Sequence, residues 1–466
     1  MIPFGHRIEP FVDSYLIAEK NNVIFRYTEP MNRGLALKYD QPWENPGSCV
    51  FSALEDEEGV KLYYRGFRKN TYEDLSDTNV DTCALAFSRD GLLFEYYPVN
   101  QVEYAGSNTN NLIAVRNTSR GELEVSLGDM NVFYDTNPDC KPDERYKFVS
   151  GRRDERGSHG IALFAFCSAD GIHWRKMSDI PVVIKGELDT FPITFWDSHA
   201  KLYRCYSRYF DDHGTYSQCW AGGQYRAIQS CVSTDFIHWS EPVFNQYEEE
   251  LEDHLYTCSV VPLPGAEHVK ICMSMRFAAS RQTTIPNPDG LYKGGTEGVS
   301  DAVFMSSRDG VKWDRTIQDA WISPSTYEHE WTQRNFIIGG GLIERGDDFL
   351  FYVNKNYMWN DESLWTYSVP RYRFMYLYAD GSGGTVLTKP LYFQSDDIYL
   401  NYATSAYGSV VVTVLNDDGS IRFTSEEIFG NEFSHRVHVE GLKNTTGRLY
   451  LTLKEARVYA IGSDMA

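Results

Sequence analysis

Acidic residues stand directly before several apolar, strand-like runs of the sequence. Asp129 precedes Met-Asn-Val-Phe-Tyr, Asp189 precedes Thr-Phe-Pro-Ile-Thr-Phe-Trp, and Glu252 precedes Asp-His-Leu-Tyr-Thr. Cleavage of a glycosidic bond uses such residues, because one carboxylic acid protonates the leaving oxygen while a second carboxylate acts as base or nucleophile. We predict Asp189 as base or nucleophile and Glu252 as acid, with interchangeable roles. Asp129 is predicted to position substrate or tune a pKa.

Other polar and aromatic side chains lie near the same strand ends. The predicted substrate-binding residues are Arg65, Asn131, His254, Tyr256, Arg276, Asp301, Trp331, Arg334 and Asn335. A fork of guanidinium donors suits a carboxylate or sulfate on an acidic sugar, and the alternative is that these arginines pair with the acids of the site itself.

The arginines also motivate a second chemistry, which is elimination from a uronate. That reaction needs a cation beside the carboxylate and a base for the α-proton. Tyr256 or His254 would be the base and Arg276 the cation. Two non-catalytic alternatives, a carbohydrate-binding module and a protein-interaction module, stay open.

A repeated turn motif predicts the elements that must position these side chains. Ser-x-Asp-(Gly)-x-x-aromatic occurs four times at intervals of about 70 residues, enough for four strands and their loops. The copies are Ser88–Phe94, Ser168–Trp174, Ser233–Trp239 and Ser307–Trp313, with a degraded fifth at Tyr378–Gly381. Asp-Gly favours a tight hairpin turn, and period-2 apolar runs precede each copy. We read each copy, the degraded one included, as one propeller blade.

The predicted fold is therefore all-β, a five-bladed β-propeller followed by a small C-terminal β-sandwich. We place the propeller at residues 1–383 and the sandwich at residues 384–466. Phe11–Ile17 is predicted to supply a strand that closes the last blade, and Ile337–Leu342 to form an inner segment near the axis. Because inner strands converge on the axis, residues at their entry ends meet in one funnel.

The Ser-x-Asp-Gly-x-x-Trp hairpins resemble those of the five-bladed propeller glycosidases of families 32, 43 and 68. A closer resemblance is to a glycosyl hydrolase-like group. Its marks are Phe11-Val-Asp-Ser-Tyr-Leu-Ile, Tyr63-Tyr-Arg-Gly, Asn110-Asn-Leu-Ile, Phe133-Tyr-Asp-Thr-Asn-Pro, Phe195-Trp-Asp, Leu255-Tyr-Thr, Met275-Arg-Phe and Leu400-Asn-Tyr-Ala-Thr-Ser-Ala. The resemblance implies a carbohydrate-active enzyme, with glycosidase as the first expectation. Family 32's Trp-x-Asn-Asp-Pro, Arg-Asp-Pro and Glu-Cys motifs do not occur here, so its catalytic residues are not carried over as a set.

Charge and composition exclude other classes. Lys+Arg 44 against Asp+Glu 65 gives a net charge of -21, which excludes a generic nucleic-acid binder and disfavours an anionic membrane surface. No secretory h-region opens the sequence, and no 18-residue apolar run exists. The nine cysteines lack metal-ligand spacing and suggest buried thiols in a reducing compartment, so we expect a cytoplasmic protein. We expect a carbohydrate partner and no cofactor; a central Ca²⁺ is compatible but not demanded, and a homo-oligomer stays open.

Overall fold

The computed structural model describes residues 1–5, 7–44, 46–68, 80–115, 130–189, 191–211, 225–247, 253–282 and 297–462. Strands dominate, which confirms the predicted all-β class. Three short 3₁₀ helices occur in the described residues, at Pro142–Glu144, Ser158–Gly160 and Glu328–Glu330.

Five antiparallel blades form the predicted propeller. Blade one consists of Cys49–Glu55, Val60–Arg68, Val80–Ser88, Glu95–Tyr96 and Leu112–Val115. Blade two consists of Phe133–Tyr134, Tyr146–Arg153, Ile161–Ser168 and Arg175–Lys176. Blade three consists of Ile193–Asp197, Leu202–Asp211, Tyr225–Ser233 and Val243–Phe244. Blade four consists of His254–Leu255, Val260–Pro262, Lys270–Gln282 and Glu297–Ser307, next to the pair Gln246–Tyr247 and Lys312–Trp313. Blade five consists of Ile343–Arg345, Asp348–Lys355, Ser363–Pro370 and Met31–Lys38.

The ring is closed by an early strand, but not by the one that the sequence suggested. Met31–Lys38 pairs antiparallel with Ser363–Pro370. The prediction for Phe11–Ile17 is wrong, because Phe11 N–H donates to the Tyr459 carbonyl in the C-terminal sheet. Phe11–Ile17 and Met31–Lys38 both have the sequence of an apolar strand. Local sequence does not show which of them pairs with the edge of blade five. On the inner side, Gly340 bonds the backbone of blade one in both directions, at 2.8 and 2.9 Å, as the predicted axial segment would.

The repeated motif builds a hydrogen-bonded turn. In the first copy Gly91 N–H donates to Ser88 Oγ at 2.9 Å and Leu92 N–H donates to Asp90 Oδ1 at 2.9 Å, while Gly91 adopts a φ of 76°. The third copy places Phe236 at a φ of 68°, where the others use glycine. The degraded copy is not a blade turn: the strand before it, Met375–Ala379, pairs with Thr445–Gly462. Blade five ends its third strand without the motif.

A tyrosine hydroxyl joins neighbouring blades at three of the interfaces by donating to the carbonyl of a turn glycine. These bonds are Tyr63 to Gly171 (3.0 Å), Tyr206 to Gly310 (2.9 Å) and Tyr352 to Gly91 (2.8 Å). In blade two, Val149 occupies the register position of these tyrosines. Val149 and Phe236 instead share one apolar cluster, and this interface has a different tyrosine bond: the Tyr203 hydroxyl of blade three donates to Asp135 Oδ2 of blade two at 2.7 Å.

At the place of the predicted C-terminal sandwich lies an 11-stranded sheet that includes strands from the beginning of the chain. Its C-terminal strands are Met375–Ala379, Gly384–Thr388, Leu391–Phe393, Asp397–Leu415, Ile421–Thr424, Asn431–His438 and Thr445–Gly462. The strands that join them are Ile2–Phe4, Ile8–Pro10, Ile17–Asn21 and Ile24–Tyr27. The division predicted at residue 383 therefore differs from the pairing, because backbone hydrogen bonds assign residues 2–27 and 375–379 to the C-terminal sheet.

Strand direction places the starts of first and third strands, and the ends of second strands, on one face of the propeller. We call this face the mouth. The motif turns lie on the opposite face, because they follow the third strands. The residues that the sequence singled out therefore come from separate blades to one face.

Candidate active site at the propeller mouth

Three arginines surround one tyrosine at the mouth. Tyr256 follows the first strand of blade four, and the guanidinium carbons of Arg226, Arg208 and Arg334 lie 4.6, 5.4 and 5.7 Å from its ring centroid. Arg208 comes from the end of a second strand and Arg226 from the start of a third strand, both in blade three. We call Arg208, Arg226 and Arg334 the arginine arc.

The arc changes the acidity of the tyrosine. Burial alone would raise the pKa of the Tyr256 phenol, but the three guanidinium groups outweigh burial and lower that pKa below its usual value. Arg226 is itself buried, which lowers its pKa to about 10, so it stays charged at neutral pH. Among the described residues, no group hydrogen-bonds the Tyr256 hydroxyl. A phenol whose pKa is lowered loses its proton more readily, and its phenolate can then act as a base.

Asp189 is the predicted carboxylate that the structure brings to the arc. It stands just before the first strand of blade three, and its Oδ1 accepts a hydrogen bond from Arg208. Its side chain is half exposed, at 50 %, whereas that of Arg208 is buried. The buried Arg208 Nε has no hydrogen-bond partner among the described residues. The described part of the site thus joins three guanidinium groups to one solvent-accessible carboxylate.

The other two predicted catalytic acids, Asp129 and Glu252, lie outside the described residues. The residues that follow them are described. Asn131 is buried, and its side-chain amide has no hydrogen-bond partner within the described ranges. His254 is buried, and its Nδ1 accepts from the Arg226 backbone N–H at 3.1 Å. His254 thus supports the arc from behind.

Arg276 and Asp301 form an ion pair beside the arc. Arg276 Nε lies 2.9 Å from Asp301 Oδ1 and Nη2 lies 2.6 Å from Oδ2, with Asp253 at 3.5 Å from Nη1. These carboxylates hold the pKa of Arg276 above its usual value. The bidentate pair occupies the guanidinium fork, so Arg276 is poorly placed to neutralise a substrate carboxylate.

The blade-five residues divide into one arc member and one structural residue. Arg334 adopts a φ of 55°; its N–H donates to Ser300 Oγ at 2.9 Å, and its Nη1 lies 3.4 Å from the Tyr357 hydroxyl. Asn335 is fully buried, where it donates to a carbonyl at 2.9 Å and accepts from a backbone N–H at 2.8 Å. Both polar ends of Asn335 are thereby satisfied within the protein.

Two buried carboxyl groups, Glu44 and Glu362, lie behind the mouth beside blade one. Burial raises the pKa of Glu44 to about 7, although Tyr64 donates to it at 2.5 Å. Burial also raises the pKa of Glu362 well above its usual range. Arg65, a predicted binding residue, stacks on Phe67 with 4.3 Å between its guanidinium carbon and the ring centroid.

Three aromatic side chains near the mouth have different surroundings. Trp331 is 41 % exposed, and its indole N–H donates to the Ser325 carbonyl at 2.8 Å. Tyr357 is buried, and Trp359 is buried and stacked on His329 with 3.8 Å between ring centroids. Trp331 is therefore the one of these three that offers a ring to solvent.

Sequence reasoning missed Arg208, Arg226 and Glu362. A signal for Arg208 exists in the strand register. Val60 and Tyr203 pair with the turn serines of their own blades, and Arg65 and Arg208 each lie five residues further along the same second strand. Arg226 has no such mark, because it begins a third strand directly after residues 212–224, which lie outside the described ranges.

The described residues were compared with the requirements of a metal site, a disulfide bond and a membrane-spanning helix. No group of three or more His, Cys, Asp or Glu side chains among them could hold a metal ion. The eight described cysteines are buried and free of disulfide bonds. Within the described part of the chain, no helix is long and apolar enough to span a membrane.

Comparisons with known proteins find similarity at the level of solved structures. No protein-family model matches the sequence, and no curated protein matches it. A structure described as a glycoside hydrolase is 11 % identical, with a TM-score of 0.47, covering 73 % of this chain and 92 % of that one. An N-acetylgalactosamine deacetylase from F. plautii, in complex with blood group B trisaccharide, is 13 % identical, with a TM-score of 0.42 and coverages of 91 % and 95 %. A family 43 arabinoxylan arabinofuranohydrolase from Bacillus subtilis is 10 % identical, with a TM-score of 0.38 and coverages of 94 % and 99 %. Glycoside hydrolases are thus among the solved structures that this chain resembles, while its function has to be argued from its own residues.

Proposed function

We propose that the chain is a carbohydrate-active enzyme that cleaves glycosidic bonds of an acidic oligosaccharide at the propeller mouth. The observation that carries this proposal is the Tyr256 phenol among three guanidinium groups, 4.6 to 5.7 Å from its ring centroid. A group whose pKa is perturbed by fixed charges beside it is a candidate for catalysis.

The chemistry that best fits these groups is β-elimination from a uronate. The arc would bind the carboxylate and stabilise the charge that develops on it, as fixed cations do in a water-poor site. The Tyr256 phenolate would take the proton from C5 of the sugar. The C5–H electron pair becomes the C4=C5 double bond, the C4–O bond breaks, and the leaving oxygen takes up a proton.

In this scheme the residues differ from the first sequence-based assignment. Tyr256 keeps the role of base that the elimination alternative gave it. The neutralising role moves from Arg276 to the arc, because Arg276 is held by Asp301 at 2.6 and 2.9 Å. The absence of a cofactor, a homo-oligomeric state and a cytoplasmic location stay predictions.

Hydrolysis is the second candidate, and Asp189 favours it. A half-exposed carboxylate at the edge of the arc could act as base or nucleophile, with Glu252 as acid and Asp129 in support. An inverting or retaining outcome would depend on the separation of the two carboxyl groups.

One experiment separates the two reactions. Purified protein is incubated with acidic and neutral oligosaccharides, and products are read by mass and by the ultraviolet absorbance of a conjugated double bond. Elimination gives absorbance without a gain of water, and hydrolysis gives a gain of water without absorbance. Cleavage of none of the acidic oligosaccharides would contradict the proposal.

The variant Asp189→Asn sharpens the assignment. For elimination we expect it to retain most activity, because Asp189 raises the pKa of Tyr256 and is not itself the base. For hydrolysis it should lose about 10²–10⁴-fold in kcat. Circular dichroism of the variant controls for folding, and a 10²-fold loss together with a gain of water would establish the carboxylate mechanism.

A further inference from the structure

A cavity lies beside the arc on the mouth face. It has a volume of about 430 Å³ and lies between blade four and the 323–331 segment. Its lining includes Trp331, Arg276 and Asp301, none of which is needed by the elimination chemistry. Its size and its mixture of one exposed aromatic ring with polar groups are typical of a small-ligand site.

Residues that line the inner wall of this cavity also contact the arginine arc and Tyr256. Three wall residues each contact the proposed reaction centre: His254 Nδ1 accepts from Arg226 N–H (3.1 Å), the Phe277 ring lies 5.9 Å from the Tyr256 ring, and Ser300 Oγ accepts from Arg334 N–H (2.9 Å). One layer of side chains therefore separates the cavity from the reaction centre. A saccharide chain held at the arc would place its next residue over the cavity.

The charges of the two sites differ. The described part of the reaction centre has three guanidinium groups and one carboxylate. The cavity lining has two arginines, Arg276 and Arg281, and two aspartates, Asp253 and Asp301. Arg276 is held by both aspartates. Asp253 also pairs with Arg315 at 2.9 Å, so both carboxylates are neutralised by arginines, and the exposed Arg281 is the one lining arginine without a carboxylate partner in the described ranges. The charges of the lining are thus largely balanced, unlike those of the arc, and the hydroxyl groups of a neutral sugar can bond to both partners of the ion pair.

Trp331 supplies the apolar surface of the cavity. Its side chain is 41 % exposed, and the hydrogen bond from its indole N–H to Ser325 fixes the ring orientation. A fixed, exposed aromatic ring beside hydrogen-bonding groups matches the two surfaces of a pyranose, which has an apolar C–H face and a polar edge.

On the basis of the proposed function, we propose that this cavity binds the neutral sugar adjacent to the uronate held by the arc. The preferred substrate is thus an oligosaccharide in which acidic and neutral residues alternate.

Kinetics with two tetrasaccharides of equal length test the substrate class. One alternates uronates with neutral hexoses, and the other consists of uronates only. We expect the wild-type protein to prefer the alternating chain. Trp331→Ala should raise KM for that chain about tenfold with little change in kcat, and Trp331→Phe should stay close to wild type. Asp301→Asn should move the preference towards the all-uronate chain, because it releases Arg276. A wild-type preference for all-uronate chains, or an unchanged KM in Trp331→Ala, would overturn the inference.

Binding measurements separate this inference from the proposed function. A neutral disaccharide of the repeat is titrated into wild type, Trp331→Ala and Tyr256→Phe by calorimetry. Binding that is weakened by Trp331→Ala and kept by Tyr256→Phe supports the cavity even if no cleavage is found, in which case the proposed function alone fails. Lack of binding to the wild-type protein, or equal binding to all three, contradicts the cavity assignment.

Discussion

The arginine arc and the buried pair Glu44 and Glu362 lie near the same mouth, yet the pKa values of their buried acids shift in opposite directions. At Tyr256 three guanidinium groups outweigh burial, and the phenol pKa falls. At Glu44 burial outweighs the hydrogen bonds, and the carboxyl pKa rises to about 7. The balance between burial and fixed cations therefore sets the direction in which the pKa of a buried acid at this mouth shifts.

The two regions also differ in how their polar groups are used. Glu362 accepts from the backbone N–H groups of Gly47 and Met358 and from Asn354 Nδ2, so it joins blade five to blade one. In contrast, no described group hydrogen-bonds the Tyr256 hydroxyl. The hydrogen bonds of Glu362 are all made within the protein and stabilise the fold. The Tyr256 hydroxyl, which has no described hydrogen-bond partner, can form its hydrogen bond with a ligand.

The largest effect should come from removing the base. Tyr256→Phe deletes the hydroxyl and keeps the ring, so we expect kcat to fall about 10³-fold while affinity for an acidic oligosaccharide stays within a few fold. Steady-state kinetics and calorimetry measure the two quantities. A variant with full turnover would assign the base elsewhere.

The next largest effect concerns stability and Glu44. Its folded pKa of about 7 lies above the ordinary value of 4.5, so the folded state binds more protons between these pH values. Stability is therefore fully present below pH 4.5 and falls as pH rises towards 7, by about 3 kcal/mol from this group. Urea unfolding across this pH range measures the loss, and Glu44→Gln should abolish that part of the slope. An identical slope in wild type and variant would contradict the assignment.

A smaller effect should follow from changing one member of the arc. Arg226→Lys keeps the charge but removes the planar fork, so we expect about tenfold weaker binding of an acidic oligosaccharide. Arg226→Met also removes the charge, which raises the pKa of Tyr256 and should move the pH–rate profile to higher pH. The substitution Arg89→Lys, in an exposed motif turn on the opposite face, is a matched control. Equal pH profiles for the Lys and Met variants at position 226 would contradict electrostatic control of Tyr256.

The sequence predicted the blades well because the turn motif is local. Ser88 and Asp90 form their hydrogen bonds within a few residues, so each motif carries its own structure. Strand partnership is not local: Met31–Lys38 and Phe11–Ile17 are both plausible closing strands, and only pairing with distant edges distinguishes them. The degraded motif at Asp380 was wrongly predicted to be a blade turn for the same reason. The turn itself forms, but the strand before it pairs with the C-terminal sheet and not with a blade.

The site was predicted in part. Two predicted residues, Asp189 before a first strand and Tyr256 at the next strand entry, lie together at the arc, and their roles stay predictions. Pattern alone could not tell that Arg276 pairs with Asp301 of the neighbouring third strand whereas Arg208 pairs with the half-exposed Asp189, because both arginines lie within second strands. Which arginine is held by an internal carboxylate depends on the neighbouring third strand, which is set by register and not by spacing.

The closing strand of blade five has a consequence for the order of folding. Arg33 and Ser368, joined by a hydrogen bond of 2.8 Å, are 335 positions apart in the chain. During synthesis, blades one to four can form in sequence, but the ring cannot close before residues 363–370 have emerged. Until then Met31–Lys38 has no partner strand, and such an open edge can pair with another nascent chain. Ring closure is thus a late, high-contact-order step that removes the strand edges most exposed to intermolecular pairing.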